Sequence, residues 1–400
     1  MAHAAERRAA PDRAAVRAAV RATYVAFFGS GFAFANWAAR IPQVRDRLDL
    51  TPSELGYVLL FIAAGSVIAL PLSGRIVHRF GSRRTVTVTA VFVGIGMAIM
   101  AVGYLSGVAV LVVGLLLFGF ANGAWDVAMN VQGALVERHL GRSIMPRFHA
   151  GWSVGTVSGA LVGTAMVAWQ VPVGAHLSGV AVAVAVSVAL GVQRFLPDRD
   201  IAAEPAEPAR PAHAWAAWTE RRTLLIGAVV LAFAFAEGSA GDWVSVAVID
   251  GYHASATVGT LTFAVFLAAM TTGRWFGPAL LDRYGRVPVV RAATLVAITG
   301  LALFVFGNAI ALALVGTLLW GTGTCLGFPV GMSAGADDPA RSAARVSVIA
   351  SIGYCAFLGG PPLIGSLGQL LGVQHALTAV AVGLALAALI AGSLKPAADT

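Results

Sequence analysis

Two carboxylates stand in apolar runs where an uncharged residue would be cheaper. Asp126 lies in GAWDVAMNVQG, residues 123–133, near the end of a run that begins around Gly107 and carries no charge before it. Asn122 and Asn130 flank it at four-residue spacing, so one helical stripe carries amide, acid and amide. At helical rise Asp126 is roughly 18 Å from Arg138, the next basic residue along the chain. Glu237 is the second such acid, about midway between Arg222 and Asp250. An acid at that depth costs a few kcal/mol to insert and usually faces a polar cavity or a partner. A carboxyl group in a low-dielectric setting can take up and release a proton near neutral pH. Asp126 and Glu237 are therefore the candidates for proton coupling, and Asn122, Asn130 and Glu237 for solute binding. The structural alternatives are a bond from Asp126 to backbone or a buried Arg, and a bond from Glu237 to a polar group on a facing helix.

The elements that must position these groups follow from composition. The chain has 400 residues, 58% hydrophobic and 12% charged, with mean hydropathy +0.80. A soluble globular chain carries roughly twice that charged fraction. The apolar residues fall into about twelve blocks, each long enough to cross a bilayer as a helix. They lie at about 22–41, 54–76, 85–105, 108–136, 148–169, 173–193, 223–248, 256–280, 288–307, 309–332, 346–369 and 373–394. The expected fold class is an all-α membrane protein with twelve transmembrane helices. Gly238–Gly241 follows Glu237 in span 7 and is weak in helix propensity, so that span is expected to flex there. Gly151, Gly155, Gly159 and Gly163 form a stripe in span 5 suited to close helix approach.

The sequence pI of about 10.3 does not indicate nucleic acid, because the arginines alternate by loop rather than covering one soluble face. Arg79, Arg83 and Arg84 follow span 2, Arg138 and Arg142 follow span 4, Arg283 and Arg286 follow span 8, and Arg341 and Arg345 follow span 10. Arg40, Arg45 and Arg47 fall in a loop of the opposite class, offset by Asp46, Asp49 and Glu54. The positive-inside bias puts both termini in the cytoplasm of a cell membrane, the inner or plasma membrane of a bacterium. Cys325 and Cys355 match no metal or redox spacing and read as packing residues. No nucleotide-binding loop or metal-ligand cluster appears, so neither catalysis, a cofactor nor a metal is expected, and the energy must come from a gradient.

The longest polar interruption, Leu196 to Arg222, reads as a linker between two halves. GRIVHRFGSRR, residues 74–84, resembles PALLDRYGRVP, residues 278–288, and GWSVGTVSGALVG, residues 151–163, resembles GYCAFLGGPPLIG, residues 353–365. Asn36 and Trp37 of span 1 fall opposite Asp242 and Trp243 of span 7. The expected organisation is a basic tail over 1–20, a six-helix half over 21–194, a linker over 195–221, a second half over 222–394 and a tail over 395–400. Parallel six-helix repeats place a solute site between the halves near the midplane.

These features resemble the major facilitator superfamily over essentially the whole chain. Its signature loop, roughly G-x-x-x-D-R-x-G-R-R, is matched by Gly74, Arg79, Gly81 and Arg83, with His78 in place of the Asp, and again by Asp282, Arg283, Gly285 and Arg286. The resemblance implies two pseudo-symmetric six-helix bundles and a gating role for Arg79, Arg83, Asp282 and Arg283. Asp126-Val127-Ala128-Met129-Asn130 is also similar to the span 4 pattern of the fucose-permease-like branch and its rhizopine-transport-like relatives. Two departures stand out: span 1 has no acid before Arg40, and Val131 stands where the sugar permeases have Pro.

The function expected is a secondary transporter of a small polar solute of the sugar, polyol or amino-cyclitol type, by proton-coupled symport. The partners are then the solute, protons and the lipid bilayer, with no nucleic acid, and the protein is a monomer. The alternatives are a proton-coupled exporter of a larger apolar compound and a non-transporting membrane sensor. Spans 1 and 7, and spans 4 and 10, should line the cavity as related pairs. Asn36 and Trp37 in span 1 and Thr324 in span 10 are then further solute-binding candidates. Arg40 and Asp242 should pair as an outer gate, the alternative being local pairing of Arg40 with Asp46 or Glu54.

Overall fold

A computed structural model describes residues 13–142, 144–198, 216–338 and 341–396. The first twelve residues of the basic tail, most of the linker (199–215) and the last four residues lie outside the described residues. Twelve helical segments are long and apolar enough to cross a membrane, and no strand occurs among the described residues. Spans 1–6 are Arg13–Ala38, Pro52–Phe80, Ser82–Ser106, Val108–Leu140, Met145–Ala168 and Val173–Gly191. Spans 7–9 are Arg221–Tyr252, Ala256–Tyr284 and Arg286–Phe306. Span 10 is broken into Ile310–Thr324 and Gly327–Gly335, span 11 is Ser342–Leu371, and span 12 is Thr378–Ile390. A short helix, Ile41–Arg47, follows span 1. The face where span 1 begins and span 12 ends is called terminal here, and the opposite face distal.

Span 1 starts earlier than its apolar block suggests. Residues 13–20 are Ala-rich and favour helix, and Val16 and Ala19 are buried against the bundle, so helix extends into the stretch read as a tail. The two halves repeat each other in detail. Thr51 caps span 2 in a reciprocal box with Glu54, and Ser255 caps span 8 at Val258. The turns that end these two spans use Gly81 and Gly285, each at φ 80°, a conformation that disfavours any side chain. Arg79 then stacks over Phe80, and Arg283 over Tyr284.

Packing follows the small residues. The span 5 glycine stripe lies directly on span 1: a Cβ on Gly155 would sit 2.3 Å from the Phe28 carbonyl, and one on Gly159 2.6 Å from that of Phe32. Between the halves, span 2 packs on span 11 and span 5 on span 8, whereas spans 1, 4, 7 and 10 do not pack closely across the divide. Those four helices therefore surround the central space.

The distal ends of the halves are held together. A Cβ on Gly56 would stand 2.4 Å from the Pro361 carbonyl, and one on Gly365 2.5 Å from that of Pro52, so spans 2 and 11 touch backbone to backbone. Arg45 also reaches across to Asp250, with Nη2 3.0 Å from Oδ1 and a second contact through Nη1. Among the described residues this is the one polar side-chain link between the halves. On the terminal face each half ties to itself. Asp198 accepts from the Ser82 N–H and hydroxyl. Asp337 bridges Arg222 and Arg286, and Glu220 takes Arg341 and Arg345. Arg345 holds the Glu220 carboxyl below the usual carboxylate range, and Arg286 and Arg222 do the same for Asp337 against the effect of its burial. Folded-state values below the unfolded ones mean that this stabilisation is present above the unfolded values and lost as pH falls through the folded ones. In this conformation the distal ends of the two halves are therefore held in contact.

A partly exposed pair such as Arg45–Asp250 is worth less than about 1 kcal/mol, enough to bias a balanced equilibrium up to about five-fold. Gly241 shares a helix face with Glu237 and has open space beside it. In a background lacking Cys325 and Cys355, labelling of Gly241→Cys by an impermeant thiol reagent from the distal side should rise several-fold with Arg45→Ala. Exchanging the two charges should bring it part of the way back. Gly56→Leu, which blocks the backbone approach of spans 2 and 11, should raise labelling further still. Unchanged labelling in both Arg45→Ala and Gly56→Leu would mean that these contacts do not hold the distal face.

Candidate functional site

Mid-depth polar groups that remain partly accessible mark the site. Asp126 is half-buried in span 4 and bonded to Asn130 one turn on, whose amide donates to the Asp126 carbonyl at 2.8 Å and to its carboxylate at 3.3 Å. No cation neighbours Asp126 among the described residues. Tyr354 of span 11 lies within its electrostatic range from the other half. One turn before Asp126, Asn122 accepts from the Ser30 hydroxyl of span 1 at 2.9 Å, and its N–H groups have no partner among the described residues. The three side chains expected from spacing to share one face of span 4 are thus all partly accessible. Trp125 between them points the other way and is fully buried.

The second half contributes a charged pair that sequence reasoning missed. Arg274 of span 8 donates from Nη2 to Glu237 Oε2 at 2.8 Å, with about a quarter of each side chain accessible. Its Nε reaches the Cys325 carbonyl at 3.3 Å. That carbonyl belongs to the break in span 10, where Thr324 ends one helical segment and Gly327 starts the next. Carbonyls at such an end lack intrahelical partners and attract positive charge. Arg274 thus ties together spans 7, 8 and 10. The expected flexing of span 7 at Gly238–Gly241 is not seen: the helix runs through it, and the break falls in span 10 instead. His149 of span 5 lies within electrostatic range of Arg274 from the opposite half, with its ring edge-on to Phe27.

Other sequence candidates lie elsewhere. Asn36 is fully buried, its amide donating to the Phe32 carbonyl and its oxygen bonded to His176 Nε2 at 2.8 Å. Trp37 is 1% exposed and packed in the core. Thr324 is buried, with its hydroxyl turned back to the Trp320 carbonyl of its own helix. None of the three reaches the central space in this conformation. The expected Arg40–Asp242 pair does not form, and neither does its local alternative. Arg40 turns into its own half, donating to His176 Nδ1 and the Val171 carbonyl, both at 2.9 Å. Asp242 is half-buried without a hydrogen bond or ion pair among the described residues. The cross-half pair is Arg45–Asp250, between the short helix that follows span 1 and the distal end of span 7. In the signature loops Arg79, Arg83, Asp282 and Arg283 are exposed and form no ion pair among the described residues.

Removing one partner of a fully buried ion pair costs roughly 3–5 kcal/mol, largely because the other charge is stranded. The accessibility of Glu237 and Arg274 reduces that to about 1–3 kcal/mol. Arg274→Leu should therefore lower thermal stability, and adding Glu237→Gln should recover part of the loss. A double variant no more stable than Arg274→Leu alone would show that the two side chains are not energetically coupled.

The family model described as Major Facilitator Superfamily matches residues 23–360. A protein of Sinorhizobium fredii described as an uncharacterized transporter is 30% identical over 376 residues, which is 94% of this chain and 98% of that one. Among solved structures, the nucleoside transporter NupG aligns with a TM-score of 0.74 at 14% identity, covering 94% of this chain and 98% of NupG. The E. coli fucose:proton symporter FucP aligns with a TM-score of 0.63 at 13% identity, covering 96% of this chain and 100% of FucP. At such identities the two structures speak for the fold alone. Twelve spans, two repeated signature turns and a family match over most of the length lead to one conclusion: the chain belongs to the major facilitator superfamily and is a multi-pass membrane transporter of that type.

Proposed function

We propose that the protein is a proton-coupled symporter for a small polar solute of the sugar, polyol or amino-cyclitol type, working by alternating access. The observation that carries this reading is Asp126, a mid-depth carboxyl group in span 4 with Asn130 as its partner and no counter-ion among the described residues. A carboxylate pinned by a guanidinium keeps its charge in every state, whereas one without a counter-ion can load a proton on one side and release it on the other. Glu237 is pinned by Arg274, which supports a role in solute binding and helix coupling rather than in carrying protons. Asp242, unpaired nearer the distal face, is the second proton candidate. The Asn122 and Asn130 amides, the Tyr354 hydroxyl and the Glu237–Arg274 pair offer donors and acceptors to a hydroxylated solute.

We further propose that the terminal face lies in the cytoplasm of the cell (inner or plasma) membrane, since the loop arginines gather there. The conformation described is then open inward. Residues 21–194 and 222–394 act as the two moving halves of a monomer, joined by the linker over 195–221 and flanked by cytoplasmic tails.

Asp126→Asn keeps size and hydrogen bonding but fixes the neutral state. In proteoliposomes it should abolish uphill accumulation driven by a proton gradient while leaving solute-for-solute exchange largely intact. Glu237→Gln should weaken solute binding in both assays. Proton-driven accumulation that survives in Asp126→Asn would move the coupling role to Asp242, and an unfolded variant would show that the acid is structural.

A further inference from the structure

We propose that the distal mouth of the carrier contains a binding site for a small monovalent anion, with Arg40 as its counter-charge. The site is separate from the central one and rests on none of the reasoning about Asp126. Arg40 is 2% exposed, so its charge has been taken almost completely out of water. An ion in that position costs several kcal/mol unless another charge compensates it. No carboxylate of the described residues stands within ion-pair distance, and both acceptors of Arg40 are neutral. His176 is neutral by geometry: its Nδ1 accepts from a guanidinium, so its ring proton sits on Nε2, facing the Asn36 oxygen. Arg40 also follows the carbonyl end of span 1, but a helix end supplies only about half an elementary charge. That leaves a full positive charge poorly compensated.

Beside it lies a pocket of about 430 Å³. Arg40, Gln43, Tyr104 and Gln170 line it from the first half, and Ser255 and Thr257 from the second. The second-half wall is the start of span 8, a helix of 29 residues. There Ser255 caps the Val258 N–H, while the N–H groups of Ala256 and Thr257 have no partner within the helix. A guanidinium on one wall and a helix N-terminus on the other form an anion site from two independent sources of positive potential. The volume leaves room for a small anion, a halide or the carboxylate of a small organic acid, together with several waters.

Because the walls come from opposite halves, the pocket is complete only while the distal ends meet. An anion bound there favours the shut distal face by its difference in affinity between the two states, and reciprocally the shut state binds it more tightly. The site therefore makes distal opening sensitive to anions on that side of the membrane.

The test is thermal unfolding of the purified full-length protein titrated with sodium chloride or sodium acetate. Wild type should show a saturable rise in Tm, and Arg40→Gln should show none, ionic-strength effects being common to both. A rise with acetate alone identifies a carboxylate ligand, and one with chloride identifies a halide. Gln43→Glu places a carboxylate within the pocket, so it should raise the starting Tm and abolish the response. That second variant keeps the test decisive if Arg40→Gln fails to fold. The same anion should also slow distal labelling of Gly241→Cys. No saturable rise in wild type with either anion overturns the proposal, as does an undiminished rise in Arg40→Gln or Gln43→Glu.

Discussion

The cost of placing charge in hydrocarbon organises this molecule. Between its faces each ionised group is handled differently. Glu237 and Arg274 neutralise each other across spans 7 and 8. Arg40 is solvated by a histidine and a carbonyl within its own half. Asp126 has an amide and, among the described residues, no cation. The first arrangement fixes charge, and the last leaves it free to change. A proton-coupled carrier of the kind proposed needs both, because one whose acids were all paired would have no group to load and release the proton.

The same economy governs movement. Helix contacts within each half are made by small residues at backbone distance, as where the span 5 glycines lie on span 1. In a membrane such packing substitutes for the hydrophobic drive that water supplies elsewhere. Between the halves, contact is made mainly by two helix pairs, with a smaller contact of the short helix Ile41–Arg47 on span 7 that carries the Arg45–Asp250 link. The halves are thus stiff within and weakly joined, which lets two arrangements lie close in free energy. Arg274 adds a connection inside the second half, since it reads the charge on Glu237 and holds the carbonyl at the break of span 10.

Much of the architecture was legible because hydropathy and turn chemistry act locally. Twelve apolar blocks gave twelve spans, and the glycines of the repeated turns, Gly81 and Gly285, take up matching conformations. The Asp126–Asn130 spacing likewise carried its own geometry. What sequence position does not reveal is the rotation of a helix about its axis. Asn36, Trp37 and Thr324 sit at useful depths but turn into their bundles: Asn36 bonds to His176, Thr324 to the Trp320 carbonyl, and the Trp37 ring is packed in the core. Arg40 was expected to meet Asp242 but turns the same way. Arg274 left a signal that went unread: a lone arginine within TTGRWFG, deep in an apolar block, needs a partner as surely as Asp126 does. Its partner lies on another helix, 37 residues away, beyond the reach of spacing arguments.

The central claim is that solute and proton move together through Asp126. It is tested most directly by following the pH outside proteoliposomes as sugars, polyols and amino-cyclitols are added in turn. The account predicts that a transported solute makes the outside medium more alkaline in proportion to its uptake, and that Asp126→Asn removes the pH change. Solute uptake with no pH change, or an equal change in Asp126→Asn, would contradict it.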